Sequence, residues 1–357
     1  MNSPGSRPLI GSDLERCIYC DSTHITKAGK RYKQYEILQC WDCHACGVSF
    51  SPRWAGKSST YPLKVILEAL CQFYQGNTLD RTAHYLNRRF GISVDPRTIS
   101  RWLAQYRDLT TYSRLRADIG RYTPPHRLIR STRLHHKQVY TYRTHQGKLA
   151  HILKGREHQA FTPIASYLTE MAEDCPHHLF RDTGHTNNRA SQGTATFNLD
   201  AVEIKAKRNN ACRIAELVLE TVTSNHRRHD EIQRFMLTTD SVTVAVEVPI
   251  TLTREDVSHM QRELGFDIPL EVTDTITGHI DVLQIRNGSI HVIDYKPNAH
   301  KERPITQLMV YAMALSRRTG LRLYDFTCAW FDENHYFEFY PLHVVHKKPR
   351  VRQRKQF

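Results

Sequence analysis

Residues 278–296 read Gly278-His279-Ile280-Asp281-Val282-Leu283-Gln284-Ile285-Arg286-Asn287-Gly288-Ser289-Ile290-His291-Val292-Ile293-Asp294-Tyr295-Lys296. Two β-rich runs flank Asn-Gly, the strongest short-range signal for a β-hairpin. With Asn287 and Gly288 as a two-residue turn, Arg286 faces Ser289, and counting outward sets Asp281 opposite Asp294. Side chains alternate along a strand, so Lys296 shares the aspartates' face while Ile280, Val282, Ile293 and Tyr295 point the other way. Directly opposed residues have Cβ atoms only about 4.5–5.5 Å apart, and like charges there are destabilising. Two carboxylates held together beside an ammonium are explained most simply by a divalent cation, and oxygen ligands suit Mg²⁺ or Mn²⁺. The plainer reading is a solvent-facing hairpin on which Lys296 neutralises two surface aspartates. The chemistry that the first reading permits is phosphodiester hydrolysis. A metal would polarise the phosphate and activate water, while Lys296 orients that water or stabilises developing charge.

Downstream, Gln307 and Tyr311 are one helical turn apart and share a face. Gly278-x-x-Asp281, Asp294-x-Lys296 and Gln307-x-x-x-Tyr311 together resemble the PD-(D/E)XK nucleases of the RecB-like branch. That resemblance implies that Gln307 and Tyr311 help bind DNA or order the active site. It also implies an αβββαβ core of the restriction-endonuclease-like α/β class over 201–343. The core would comprise a helix at 203–224, strands within a β-rich stretch at 236–296, a helix at 304–318 and a strand at Phe326–Trp330. Glu247, in Val244-Ala245-Val246-Glu247-Val248-Pro249, occupies a strand where related nucleases often carry an auxiliary acidic residue; its alternative is a surface glutamate. The family often places a metal-binding His on the first core helix. Here that stretch reads Arg213-Ile214-Ala215-Glu216-Leu217-Val218-Leu219-Glu220, so Glu216 is the expected substitute ligand for Mg²⁺ beside Asp281 and Asp294. His226 and His229 are nearby alternatives in what also reads as a solvated loop. The iron–sulfur cluster of some relatives is not expected, because only Cys212 and Cys328 lie near enough.

At the other end, Cys17-Ile18-Tyr19-Cys20 and Cys43-His44-Ala45-Cys46 have the spacing of a four-thiolate zinc site. A rival register takes Cys40 and Cys43 as the second pair. The Cys43–Cys46 register is preferred because Cys46-Gly47-Val48-Ser49-Phe50 looks like the closing knuckle of transposase-type ribbons, and Gly47 permits the tight return. Lys27, Lys30, Arg31 and Lys33 lie between the knuckles. Helical patterns follow at Pro62–Tyr74, Leu79–Phe90 and Pro96–Tyr106, with Thr78 and Asp95 as N-caps and Gly76 and Gly91 as terminators. Ile99, Trp102 and Leu103 face a core, leaving Arg97, Thr98, Ser100 and Arg101 as DNA-contacting residues of a recognition helix. The run from Cys17 to Tyr106, including Lys57-Ser58-Ser59-Thr60-Tyr61-Pro62, resembles the zinc-ribbon and helix-turn-helix heads of insertion-sequence transposases, which implies binding to element-end DNA.

Fifty Lys and Arg against 36 Asp and Glu give a net charge of +14, which favours a polyanionic partner. No segment reads as a signal peptide or a bilayer span, so a soluble cytoplasmic, nucleoid-associated chain is expected. The predicted organisation is multidomain: a zinc ribbon at 16–56, an all-α helix-turn-helix at 60–107, a basic linker or accessory region at 108–200, the nuclease domain at 201–343 and a basic tail at 344–357. The expected cofactors are structural Zn²⁺ and catalytic Mg²⁺ or Mn²⁺. The expected partner is double-stranded DNA, with no membrane, and a homodimer is allowed. The leading reading is a metal-dependent DNA endonuclease aimed by its head and tied to a mobile element or genome defence. The alternatives are a DNA-binding regulator with an inert nuclease-like domain and a DDE-type transposase.

Overall fold

The computed structural model describes residues 9–12, 14–20, 22–51, 60–136, 138–180, 188–192, 197, 203–207, 209–222, 227–270, 272 and 275–346. Lys57-Ser58-Ser59, His226 and all but the first residues of the basic tail lie outside them. Contacts divide the chain into two compact units, one within Met1–Phe73 and Asn77–Tyr106, the other within Tyr74–Gly76 and Arg107–Phe357.

The first unit opens with a small sheet of β1 (Leu9–Ile10), β2 (Ile25–Tyr32), β3 (Ile37–Cys43) and β4 (Ser49–Phe50), in which β3 pairs with all three others. Helices α1 (Leu63–Tyr74), α2 (Leu79–Phe90) and α3 (Pro96–Gln105) follow, close to the expected patterns. Thr78 accepts a hydrogen bond from the Arg81 amide and Asp95 from the Thr98 amide, which satisfies donors that each helix start leaves open. Gly91 ends α2 in the left-handed region at φ 61°. Ile99 and Trp102 are buried, while Leu103 is half-buried. Ribbon and helices, expected as separate domains, fall in one compact unit. Tyr61 joins them: it stacks on Tyr35 at 5.3 Å and meets Trp102 edge-on at 5.3 Å.

The second unit contains α4 (Arg116–Tyr122), α5 (Pro125–Leu128), β5 (Ile129–His136), β6 (Gln138–His145), α6 (Gln146–Leu153), α7 (Thr162–Glu173), β7 (Asn188–Arg189) and β8 (Lys205–Ala206). Next come α8 (Asn210–Leu219), α9 (Arg228–Thr239), β9 (Thr243–Thr253), α10 (Arg254–Arg262), β10 (Thr275–Arg286) and β11 (Ser289–Tyr295). The unit closes with α11 (Ile305–Thr319), β12 (Phe326–Phe331), β13 (Tyr336–Phe339) and α12 (Pro341–Val345). One mixed sheet runs β5-β6-β9-β10-β11-β12-β13-β8, with β7 pairing β10. β11 and β12 are parallel neighbours joined through α11, a crossover that lays this helix on the sheet. From Leu308 through Ser316 every residue of α11 is buried, so the helix is packed on all sides.

Residues 129–145, within the expected linker or accessory region, supply β5 and β6, and β6 pairs with β9 through Arg143↔Val246 and Thr144↔Ala245. Their exposed cationic positions resemble a linker in composition, while Leu134 and Tyr142 anchor the hairpin in the core. The helix expected at 203–224 is shorter, starting after the N-cap Asn209, and the expected β-rich stretch holds the last turn of α9 and all of α10. Ile232, Gln233 and the whole run from Phe235 to Thr239 are buried in α9, so the helix shows no clean apolar stripe.

Candidate active site

The hairpin forms in the expected register. Arg286 pairs with Ser289 and Val282 with Ile293, and both Asn287 and Gly288 have positive φ, as a type I′ turn requires. One residue beyond Val282↔Ile293, the ladder changes hands. Asp281 Oδ2 accepts the Tyr295 amide at 3.0 Å, while Asp294 and Tyr295 pair with Trp330 and Phe331 of β12. On the other side of β10, Ile280↔Val248 and Val282↔Val246 flank a missing rung between Asp281 and Glu247. Glu247 sits there with φ 53°, a left-handed conformation costing roughly 1–3 kcal/mol in a non-glycine residue. The break also upsets strict alternation: Ile280, expected to point away, joins the core cluster that holds Leu283.

Together these elements wall a cleft of about 780 Å³ whose lining includes Glu247, Gly278, Asp281, Asp294, Lys296, Gln307 and Tyr311. All six residues expected to serve catalysis therefore meet in one place. Lys296 Nζ lies 2.8 Å from Asp294 Oδ2 and donates to Gln307 Oε1 at 3.3 Å. Gln307 Nε2 donates to Asp294 Oδ1 at 3.0 Å and to the Tyr311 hydroxyl at 2.8 Å. The one-turn spacing of Gln307 and Tyr311 thus builds a brace from α11 to the end of β11. Gly278 faces the ring of Tyr311; a Cβ there would lie 2.6 Å from Cε1 and 3.2 Å from the hydroxyl. The glycine three residues before Asp281 is what lets Tyr311 approach β10.

Glu216 is not brought to the cleft. It is exposed on α8, whereas the helix that reaches the carboxylates is α9, through two residues. His229 Nδ1 lies 3.2 Å from Asp281 Oδ2, and Gln233 donates to Glu247 Oε1 at 2.8 Å. His229 carried a sequence signal only as an alternative within an apparent loop; Gln233 carried none, because it falls between the helix expected at 203–224 and the β-rich stretch expected at 236–296.

The electrostatics of this corner are dominated by burial. Asp294 is 1% exposed and Asp281 9%. Burial, reinforced by Asp281, pushes the carboxyls of Asp294 and Glu247 well above the usual carboxylate range, against the pull of Lys296 on the first and of Gln233 on the second. Burial pulls the His229 imidazole down, but Asp281, Asp294 and Glu247 together leave it raised. Burial likewise opposes the charge of Lys296, and Asp294 and Asp281 overcome it. Despite its 2.8 Å approach to the ammonium, Asp294 Oδ2 is a buried oxygen to which no donor is aligned. A buried carboxylate oxygen paired only with this ammonium, beside further carboxylates, fits a hard divalent cation that Asp281 and Asp294 could hold with Glu247 near them. Among the described residues these groups do not close into a set of three ligand atoms within 4.8 Å of one another.

In the first unit the four cysteines Cys17, Cys20, Cys43 and Cys46 do close. Their sulfurs lie within 4.8 Å of one another, with Cys17–Cys46 at 3.7 Å and Cys20–Cys43 at 3.5 Å. Cys40 stays outside on β3, and His44 bonds Thr26 instead, which favours the Cys43–Cys46 register. Gly47, at φ 71°, returns its amide to Cys43 O at 2.8 Å. This cluster is compatible with a zinc ribbon. Arg97, Ser100 and Arg101 are exposed on α3, and Thr98 is half-buried against Asp95. Among the described residues no helix is long and apolar enough to cross a membrane.

No curated protein and no solved structure matches the chain. A protein-family model does, over the segment that carries Glu247, Asp281, Asp294, Lys296, Gln307 and Tyr311: residues 199–335 match the model of the PD-(D/E)XK nuclease superfamily.

Proposed function

We propose that this chain is a metal-dependent DNA endonuclease of the RecB-like kind, aimed at double-stranded DNA by its first unit. The observation that carries the reading is the convergence of Asp281, Asp294 and Lys296, braced by Gln307 and Tyr311, on one open cleft. A divalent ion bound there supplies Lewis-acid polarisation of a phosphoryl oxygen and a bound water of lowered pKa. Asp281 and Asp294 are its holders, and His229, tied to Asp281, takes the place expected of Glu216. Lys296 is held at the cleft by Asp294 and Gln307, so its ammonium orients the attacking water or offsets charge developing on the phosphate. Glu247, turned by its left-handed backbone and held by Gln233, adds a further carboxylate.

For the first unit, the supporting features are the four-cysteine hairpin, with Lys27, Lys30 and Arg31 exposed on β2, and the short capped helix α3 with Arg97, Ser100 and Arg101 exposed. The net charge of +14 suits a phosphate backbone. The likeness of this head to transposase heads is the basis for a role in a mobile element or genome defence.

The test is incubation of the full chain with supercoiled plasmid, with and without Mg²⁺, followed by mapping of the cuts. Asp281→Asn, Asp294→Asn and Lys296→Ala should each slow Mg²⁺-dependent cleavage at least about a hundredfold while leaving DNA binding nearly intact. Binding of Mn²⁺ should fall in the two aspartate variants and persist in Lys296→Ala. Wild-type cleavage by Lys296→Ala would sink the proposal and favour a DNA-binding regulator.

A further inference from the structure

Around His136, which lines the same cleft, a second group of ligand-bearing side chains converges. His136 ends β5, and Cys175 and His177 follow α7. His136 Nε2 lies 2.9 Å from His177 Nδ1 and 3.8 Å from Cys175 Sγ, and the three ligand atoms all lie within 4.8 Å of one another. Residues 39 positions apart thus present two imidazole nitrogens and a sulfur to one point. We propose that His136, Cys175 and His177 form a second zinc site, separate from the four-cysteine cluster.

Three observations support it. The spacing suits the ion: with Zn–N near 2.05 Å and Zn–S near 2.3 Å, tetrahedral geometry sets nitrogens about 3.3 Å apart and nitrogen and sulfur about 3.6 Å apart. The separations of 2.9 and 3.8 Å need only a few tenths of an ångström of adjustment. The second nitrogen of the central ligand is already engaged, because His136 Nδ1 lies 2.8 Å from His279 Nε2. Zinc-bound imidazoles characteristically give their other N–H to an acceptor, which fixes tautomer and ring orientation. The His136 ring is also clamped: it is 2% exposed and stacks on Phe180 at 3.9 Å and 12°. On binding, Cys175 would lose its thiol proton to solvent and both imidazoles would ligate in neutral form. Three protein ligands leave a fourth position for water. His279 in turn stacks on Tyr140 at 3.8 Å, and both line the cleft, so the ion would stiffen the wall that faces substrate.

The competing account is a metal-free chain of hydrogen-bonded histidines, His177 to His136 to His279, with Cys175 as a buried thiol. Zinc content of the full chain separates the two, measured by elemental analysis in excess Mg²⁺ to keep zinc off the carboxylates. Wild type should hold about two zinc ions per chain, and Cys43→Ser, His177→Asn and Cys175→Ser about one each. Because His177 is not among the buried residues, His177→Asn carries the test if Cys175→Ser fails to fold. Wild type holding about one zinc that Cys43→Ser removes overturns the proposal, as does retention of two in His177→Asn. The readout does not depend on nuclease activity, so it stands apart from the test of that reading.

Discussion

The four-cysteine cluster and the carboxylate corner present their candidate ligands in opposite ways. Four sulfurs on two short knuckles lie within 4.8 Å of one another and leave no vacancy in a tetrahedron. At the cleft, acidic oxygens arrive from β9, β10 and β11, stay short of a closed cage, and leave Asp294 Oδ2 without an aligned donor. The first arrangement draws its four sulfurs from two short local segments, as suits a structural ion. The second, on the function proposed above, would share its ion with water and substrate oxygens, as suits chemistry.

The largest test of this contrast is to open the closed site. Structural zinc in small ribbons is worth about 10–16 kcal/mol at neutral pH. Cys43→Ser or Cys46→Ser should therefore release the ribbon's ion and unfold the β2–β3 hairpin, while Cys40→Ser retains both; amide exchange over residues 25–50 reads the difference. Loss of zinc in Cys40→Ser with retention in the other two would move the register.

A smaller effect is expected from crowding the open site without touching a carboxylate. Gly278→Ala puts a methyl 2.6 Å from the ring of buried Tyr311, and overpacking of this kind costs about 1–3 kcal/mol. Tyr311 must shift and Gln307 loses its partner, so cleavage should drop and the melting temperature fall by roughly 2–4 °C per kcal/mol. A Gly278→Ala protein as stable and active as wild type would mean that the brace has no role in positioning Asp294 and Lys296.

The smallest effect lies where neither site is involved. Asp95→Ala removes the cap that accepts the Thr98 amide at 2.8 Å and should cost about 1 kcal/mol in thermal unfolding. It should also loosen the turn presenting Arg97 and Arg101, with a modest loss of DNA affinity and unchanged zinc content.

Much of this was legible in sequence because the signals are local. Asn287-Gly288 set the hairpin register, Pro96 after Asp95 marked the start of α3, and the two Cys-x-x-Cys pairs identified the cluster. Gln307 and Tyr311 were readable as a helical pair. Less was legible where long-range packing decides. The β5–β6 hairpin joins β9 across about a hundred residues of chain, a pairing that no local pattern records. His229 and Gln233 lie on α9, whose nearly continuous burial leaves no periodic stripe to read.

The sequence by itself determined the local placement of Asp281, Asp294, Lys296, Gln307 and Tyr311, since turn type, strand alternation and helical spacing are properties of neighbouring residues. Only the tertiary structure decided how they are held. It replaced Glu216 with His229 at Asp281, turned Glu247 inward through a left-handed residue in mid-strand, and set Tyr311 against the bare face of Gly278. It also brought His136 to Cys175 and His177 across 39 positions. Each of these depends on close packing between elements distant in the chain, where one ångström of displacement changes the partner and no local pattern records the outcome.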